Sequence, residues 1–325
     1  MQIQRIQVLK SLHWMAKTLL EKAGYEWKLI KKGDHALGYW RINFDKKNQN
    51  KDGKIKRFVL VPGFGDTPMS WLPVLIMLGP SLRKSYDEVV LMDFPGFKGF
   101  LSEEECFPTM DKLMSATAEA LDKLKPHTVL GHSMGGWLSA FYAAEFGKAR
   151  VRSKSYAGPE KLILACPAGI FGAPVEKEAW RNNMARAIGA DENPIEGKLF
   201  AKAPMWFRLI EDEFMGFIAR KDIRDFMLSI GDRHTLEDRA GLIRSKVWIV
   251  WGELDKLIPS KCVYDWLSSL QTERKAVYIL DAGHGPHVEK PAVTAVVLGQ
   301  ILSDSEPYRI GKHWWKLIDQ KPVSE

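Results

Sequence analysis

Short apolar runs recur along this chain, and helical stretches follow most of them. FVLVP (58–62), EVVLMDF (88–94), HTVLG (127–131), KLILACP (161–167), VWIVWG (247–252) and AVYIL (276–280) each read as a strand. They are apolar at consecutive positions, so both faces of each strand must be covered. Residues 70–83, 109–124, 134–147, 260–270 and 290–302 read as helices. Such alternation specifies an α/β fold: a mostly parallel central sheet with helices on both faces. Upstream, 35–44 reads as one more strand, and KKNQNKDGK (46–54) as a polar turn.

The alternation lapses between 170 and 245, where Trp, Met, Phe and charged residues gather in several helical stretches. Helices inserted near the C-terminal ends of sheet strands would cover a site there as a cap. The expected organisation is an amphipathic N-terminal helix within 1–24, a core of 25–169 and 246–304, a helical cap of 170–245, and a C-terminal tail of 305–325. The cap carries Trp180, Met184, Met205, Trp206, Phe207, Phe214, Met215 and Phe217. These could line an apolar acyl channel. The plainer alternative is a small helical core of their own.

The chain has 325 residues, 46% of them hydrophobic, enough for one large core. No run of about 18 apolar residues occurs, so no membrane-spanning helix is expected. The opening MQIQRIQVLK does not read as a secretory signal. Cys106, Cys166 and Cys262 form neither a metal spacing nor a disulfide framework, which fits a reducing cytoplasm. The net charge of +7 is uneven: residues 1–57 hold 14 Lys/Arg against 5 Asp/Glu, and the rest 33 against 35. No zinc-finger, RNP or Walker pattern accompanies the basic segment, so nucleic acid is not the expected partner.

Residues 6–20 place Ile6, Val8, Leu9, Leu12, Met15, Ala16, Leu19 and Leu20 on one half of a wheel drawn at about 100° per residue. Lys10, Ser11, Lys17 and Thr18 fall on the other half, with Trp14 among them. This helix packs on the body or lies on a lipid interface, peripheral to a membrane.

The chemistry centres on Gly131-His132-Ser133-Met134-Gly135, a G-x-S-x-G between an apolar strand and a helix. That context is the one a nucleophile elbow requires. The turn is so tight that Gly131 and Gly135 must lack side chains, and it projects the Ser133 hydroxyl above the sheet. A hydroxyl nucleophile needs a base, and the base an orienting acid. Asp255 lies just past the strand 247–252, and His284 just past 276–280. Glu253 is the rival acid and His287 the rival base. His13, His35, His127, His234 and His313 have no such placement, and His132 reads as a packing or hydrogen-bonding neighbour. A developing oxyanion needs two N–H donors. Met134, after the nucleophile, is one candidate. Phe64, in the loop Pro62-Gly63-Phe64-Gly65-Asp66, is the other.

Taken in order, PGFGD, DFPGFKG, GHSMGG, WGELDKLIP and GHGPHVEKP resemble the α/β-hydrolase superfamily over roughly residues 55–302. The resemblance implies the α/β-hydrolase fold with an inserted helical cap, the triad Ser133, Asp255 and His284, and no metal or other cofactor. The superfamily more often has His-Gly at the oxyanion loop, where this chain has Pro62-Gly63. A serine nucleophile sets the chain apart from the dehalogenase and epoxide-hydrolase branches. LACPAGIFG (164–172) is similar to bacterial esterases and lipases of the monoacylglycerol-lipase-like branch. C–C bond hydrolases, cofactor-free haloperoxidases and acyltransferases share the same triad. The expected partner is a small ester with an apolar acyl chain. HWWKLI (313–318) joins the N-terminal helix as a candidate lipid contact, and a non-catalytic membrane-surface or protein-binding module is the reading from another class.

Overall fold

The computed structural model describes residues 6–32, 35–44, 55–94, 107–148, 158–172, 198–218, 220–305 and 315–318. Its centre is one nine-stranded sheet, numbered in chain order: β1 (Glu26–Lys32), β2 (His35–Asn43), β3 (Arg57–Val61), β4 (Glu88–Asp93), β5 (Thr128–His132), β6 (Lys161–Ala165), β7 (Lys246–Gly252), β8 (Arg274–Ile279) and β9 (Trp315–Leu317). The spatial order is β1-β2-β4-β3-β5-β6-β7-β8-β9. From β4 to β8 every neighbour is parallel, while β1, β2 and β9 run antiparallel at the two edges.

The apolar runs divide their side chains between the two faces. Phe58 and Leu60 of β3 join one core with Val89, Leu91, Leu130 and Ile163. Val59 and Val61 join the other with Val90, Met92, Val129 and Leu164. The first face is covered by α2 (Pro68–Ser85) and by α9 (Pro291–Leu302), which follows the short α8 (Pro286–Glu289), and the second by α3 (Met110–Leu124), α4 (Met134–Lys148) and α7 (Cys262–Ser269). Local chemistry sets the boundaries. Thr67 caps α2, its hydroxyl accepting from Met69 N, with Pro68 in the first turn. Thr109 caps α3 in the same way, and Lys125 in the left-handed region ends it ahead of Pro126.

The N-terminal helix α1 (Ile6–Lys22) stops at Gly24, whose φ of +91° a side chain rarely adopts. It docks on the body through Ala16 and Leu20, while Met15 and Leu19 of the same apolar stripe stay exposed.

Two strands lie outside the sequence expectation. β1 alternates charge with apolar residues (EWKLIKK) and owes its place to pairing with β2 along its whole length. The short β9 places residues 315–317 of HWWKLI in the sheet. Residues 315–317 pair antiparallel with β8, and Trp315 is buried in the core.

Between β6 and β7 the described residues hold α5 (Glu211–Ile218), α6 (Lys221–Leu228) and three 3-10 turns, at Phe207–Leu209, Asp232–His234 and Ala240–Leu242. Phe207, Ile210 and Phe214 form a separate small core. Ile223, Phe226, Leu236, Ala240 and Ile243 join the main core instead. Of the two readings of the apolar residues here, a small core of their own describes Phe207 and Phe214, which pack together, while Met205 and Trp206 face solvent. Met215 packs at the edge of that cluster. Trp180, Met184 and the Phe217 side chain lie outside the described residues, as does 95–99 of DFPGFKG. No described helix is long and apolar enough to cross a membrane.

Candidate active site

β5 runs through Gly131 and His132 to Ser133, where the chain turns into α4. Ser133 adopts φ +51°, a left-handed conformation that costs a non-glycine residue free energy. Several contacts hold it there. Ser133 N donates to Ala165 O at 2.9 Å, and Ser133 O accepts from Trp137 N at 3.1 Å and from Ala168 N at 3.2 Å. The flanking glycines have no room for a Cβ. One built on Gly131 would lie 2.5 Å from Gly135 O, and one on Gly135 would lie 2.2 Å from Val61 O.

Ser133 Oγ lies 2.8 Å from His284 Nε2, and His284 Nδ1 lies 2.8 Å from Asp255 Oδ2. The carboxylate can only accept, so Nδ1 carries the proton and Nε2 is left to accept from the serine hydroxyl. Ser133 is partly exposed; His284 and Asp255 are buried. Asp255 is fixed by three more donors: Trp251 Nε1 on Oδ2 at 3.1 Å, and Leu257 N and Ile258 N on Oδ1 at 2.9 and 3.0 Å. The loops of Asp255 and His284 are tied by their backbones, Glu253 N to Ile279 O and Leu254 N to Ala282 O. Glu253, the rival acid, turns the other way and pairs with Lys316 of β9 at 2.7 Å.

The loop after β3 lies against the elbow. A Cβ on Gly63 would meet His132 Nδ1 at 2.9 Å and Ser133 Cβ at 3.2 Å. Gly65 sits at φ +70°, and Asp66 N donates to Gly63 O to close the turn that contains Phe64. The Phe64 ring stacks on Phe226, centroids 6.1 Å apart. Met134 opens α4, so its N–H is one of those a helix leaves unbonded at its start. With Pro62 where the superfamily more often has His, the loop that carries Phe64, one of the two proposed donors, still meets the serine.

His287, the rival base, belongs to a second buried cluster beneath that loop. Its Nε2 lies 3.2 Å from Ser70 Oγ and 3.6 Å from Asp66 Oδ2. The serine's one proton goes to Asp66 Oδ1 or Thr67 O, so His287 Nε2 donates to it. Burial, with His132 adding to it, pushes the His287 pKa down to about 4. Asp66 also accepts from Thr67 N and Trp71 Nε1. Burial opposes its charge, but contacts to His132 and His287 outweigh burial and hold its carboxyl well below the usual carboxylate range. His132 donates from Nε2 to His284 O at 2.9 Å, and its Nδ1 faces Asp66 at 3.5 Å. His132 is thus the hydrogen-bonding neighbour expected of it, linking the elbow to the loop of the candidate base.

His127 and His234 hold structure elsewhere, beside Glu160 and Asp111 respectively. The side chains of His13, His35 and His313 lie outside the described residues.

Sequence reasoning missed Trp251, Cys166 and Glu289. Glu289 accepts from Gly283 N at 2.7 Å and from Lys202 N at 3.0 Å, joining the insertion to the His284 loop. Phe200 packs in the same place, its Cε1 lying 2.9 Å from a Cβ built on Gly285. The Cys166 thiol is pushed up by burial and by the neighbouring Asp255 charge. Only the Glu289 in GHGPHVEKP had a sequence signal, its place in a family motif; the others depend on which loops meet in space.

Among the described residues, two groups have donor atoms close enough to share an ion, Asp66–His132–His287 and Cys166–Asp255–His284. In the first, Thr67 N, Trp71 Nε1 and Ser70 Oγ already engage atoms of Asp66 and His287; in the second, His284 and Asp255 engage each other.

The likeness to known proteins agrees with this architecture. The model of the alpha/beta hydrolase family matches residues 58–297. No curated protein matches the sequence. Among solved structures, a membrane phospholipase A described as a bacterial virulence factor superposes with a TM-score of 0.63 at 19% identity, covering 90% of this chain and 93% of its own. An esterase from Exiguobacterium antarcticum gives 0.63 at 15% identity (85% and 99% covered), and a bromoperoxidase from Bacillus anthracis 0.63 at 17% (86% and 100%). With the family model spanning most of the sheet and both candidate loops, the chain belongs to the alpha/beta hydrolase family.

Proposed function

We propose that this hydrolase cleaves carboxylic esters through an acyl-enzyme formed on Ser133. The observation that carries the reading is the continuous hydrogen-bonded path from Ser133 Oγ through His284 to Asp255, at 2.8 Å on each side of the imidazole. His284 Nε2 takes the hydroxyl proton as Oγ attacks the ester carbonyl. The N–H groups of Met134 and Phe64 receive the oxyanion. Asp255 keeps the proton on Nδ1 and offsets the charge that His284 gains. His284 then gives its proton to the leaving alcohol. A water, deprotonated by His284, attacks the acyl carbonyl, and the acid leaves with Ser133 restored. The preferred substrate is a small ester with an apolar acyl chain, consistent with Phe64 and Phe226 beside the oxyanion loop. An esterase and a phospholipase among the structural relatives support the ester class.

The test is hydrolysis of p-nitrophenyl esters of increasing chain length by wild type and Ser133→Ala. The expected result is turnover by wild type and a loss of roughly 10⁴-fold or more in the variant. Undiminished activity in Ser133→Ala overturns the assignment. A folded wild type inert toward every ester turns attention to C–C bond hydrolysis with the same groups.

A further inference from the structure

Two glycines flank His284, and the insertion occupies the space where their side chains would stand. A Cβ on Gly283 would lie 2.5 Å from Ala201 N and 2.8 Å from the Phe200 carbonyl carbon. A Cβ on Gly285 would lie 2.9 Å from the Phe200 ring. Glu289 fastens the contact. One of its carboxylate oxygens accepts from Gly283 N at 2.7 Å, and the other from Lys202 N at 3.0 Å. Burial opposes the Glu289 charge, and the N–H groups of Lys202, Gly283 and Ala201 support it.

Behind Phe200 stands the small core of the insertion. Its ring meets Phe207 edge-on at 4.8 Å, and Phe207 packs with Ile210 and Phe214. Leu257 touches the same cluster and donates from its N–H to Asp255 Oδ1. The insertion therefore bears on the loops of both the base and its acid. His132 holds the His284 carbonyl at 2.9 Å, so the backbone on each side of the imidazole is fixed by groups distant in sequence. The imidazole itself must meet Ser133 and Asp255 at once, and a misplacement of about 1 Å between reacting groups can cost about 10²-fold in rate.

We propose that Phe200 and Glu289 are positioning residues, through which the insertion holds the His284 imidazole between Ser133 and Asp255. The kinetic consequence rests on the ester-hydrolysis reading; the placement of the imidazole can be followed without substrate. The variants are Phe200→Ala and Glu289→Gln, whose amide keeps one acceptor and turns an N–H toward the other backbone donor. Phe200→Leu refills most of the space and replaces the alanine variant if that one does not fold. Two measurements are made on variants whose thermal melts show them folded: the downfield proton NMR signal of His284 Nδ1–H, and kcat and KM on a short p-nitrophenyl ester. The expected result is a weakened or broadened signal in Phe200→Ala and Glu289→Gln, a kcat lower by about tenfold or more with KM within about twofold of wild type, and partial recovery in Phe200→Leu. A wild-type signal in both folded variants overturns the proposal, as does an undiminished kcat in both. A raised KM at unchanged kcat also overturns it, assigning Phe200 to substrate binding alone. A wild type inert toward esters whose signal is nevertheless lost in the variants supports the positioning role and overturns only the ester-hydrolysis reading.

Discussion

The ring of His287 lies flat on the indole of Trp71, centroids 4.1 Å apart and 4° from parallel. That stacking aims Nε2 at Ser70 Oγ, so α2, the oxyanion loop and the His284 loop meet in one buried cluster. Replacing His287 by alanine removes the donor and leaves a void. The expected loss is about 1–3 kcal/mol of stability. Because the cluster underlies the loop of Phe64, kcat should fall about tenfold with KM nearly unchanged, and His287→Gln should recover part of it. Denaturant melts and ester kinetics check both. Normal kcat in His287→Ala would separate the cluster from catalysis.

The same histidine gives stability a pH dependence. Its pKa is lowered from 6.5 to about 4, so between those values the unfolded chain binds the proton more readily. The stability His287 contributes is full above 6.5 and is lost as pH falls toward 4. His287→Gln should flatten that acid slope in melts recorded across the window.

Asp93 gives the opposite slope. It is fully buried at the end of β4, with no hydrogen-bond partner among the described residues. Burial pushes its pKa from 3.8 up to about 8, and the charge of Asp66 adds to the shift. Between those values the folded chain holds a proton that the unfolded chain releases, so stability falls as pH rises. Asp93→Asn keeps the shape without the charge. Its melting temperature relative to wild type should climb from pH 4 to pH 8. A constant difference would show that another group carries the slope.

Asp255→Asn should lower kcat by about 10⁴-fold while the protein stays folded, because an amide in that place no longer fixes the proton on His284 Nδ1. Trp251→Phe removes one donor to Asp255 Oδ2 and leaves His284, Leu257 and Ile258 in place. Its expected cost is less than about tenfold in kcat. Equal losses in the two variants would mean that the indole N–H is as important as the carboxylate.

Gly135→Ala should be among the most damaging single changes. Its Cβ would lie 2.2 Å from Val61 O and 2.3 Å from Pro62 O, backbone atoms that cannot rotate away. At least about 3 kcal/mol of destabilisation is expected. Gly216→Ala, inside α5 with no atom of another part of the chain within 4 Å of the added carbon, should instead stabilise by about 0.5–1 kcal/mol. Urea unfolding of both variants tests the contrast.

Sequence alone determined what chemical periodicity encodes locally. Consecutive apolar residues at 58–61 and 89–92 meant two covered faces, and those runs lie in interior strands that pair parallel with each other. Gly131 and Gly135 around Ser133 meant a turn with no space for side chains, because steric exclusion acts over neighbouring residues. The order of Ser133, Asp255 and His284 was legible because each follows the end of an apolar strand run. Tertiary structure decided what depends on contacts distant in sequence. Glu253 and Asp255 both follow β7 and were rivals on paper, and the antiparallel addition of β9 puts Lys316 beside Glu253. His284 and His287 differ because one meets Ser133 and the other meets Trp71 and Ser70. The strands β1 and β9 have too little apolar pattern to announce themselves; hydrogen-bonding neighbours on a sheet edge make them strands. The division of α1 into buried and open apolar residues likewise follows from where the helix docks, which its own amphipathic pattern does not specify.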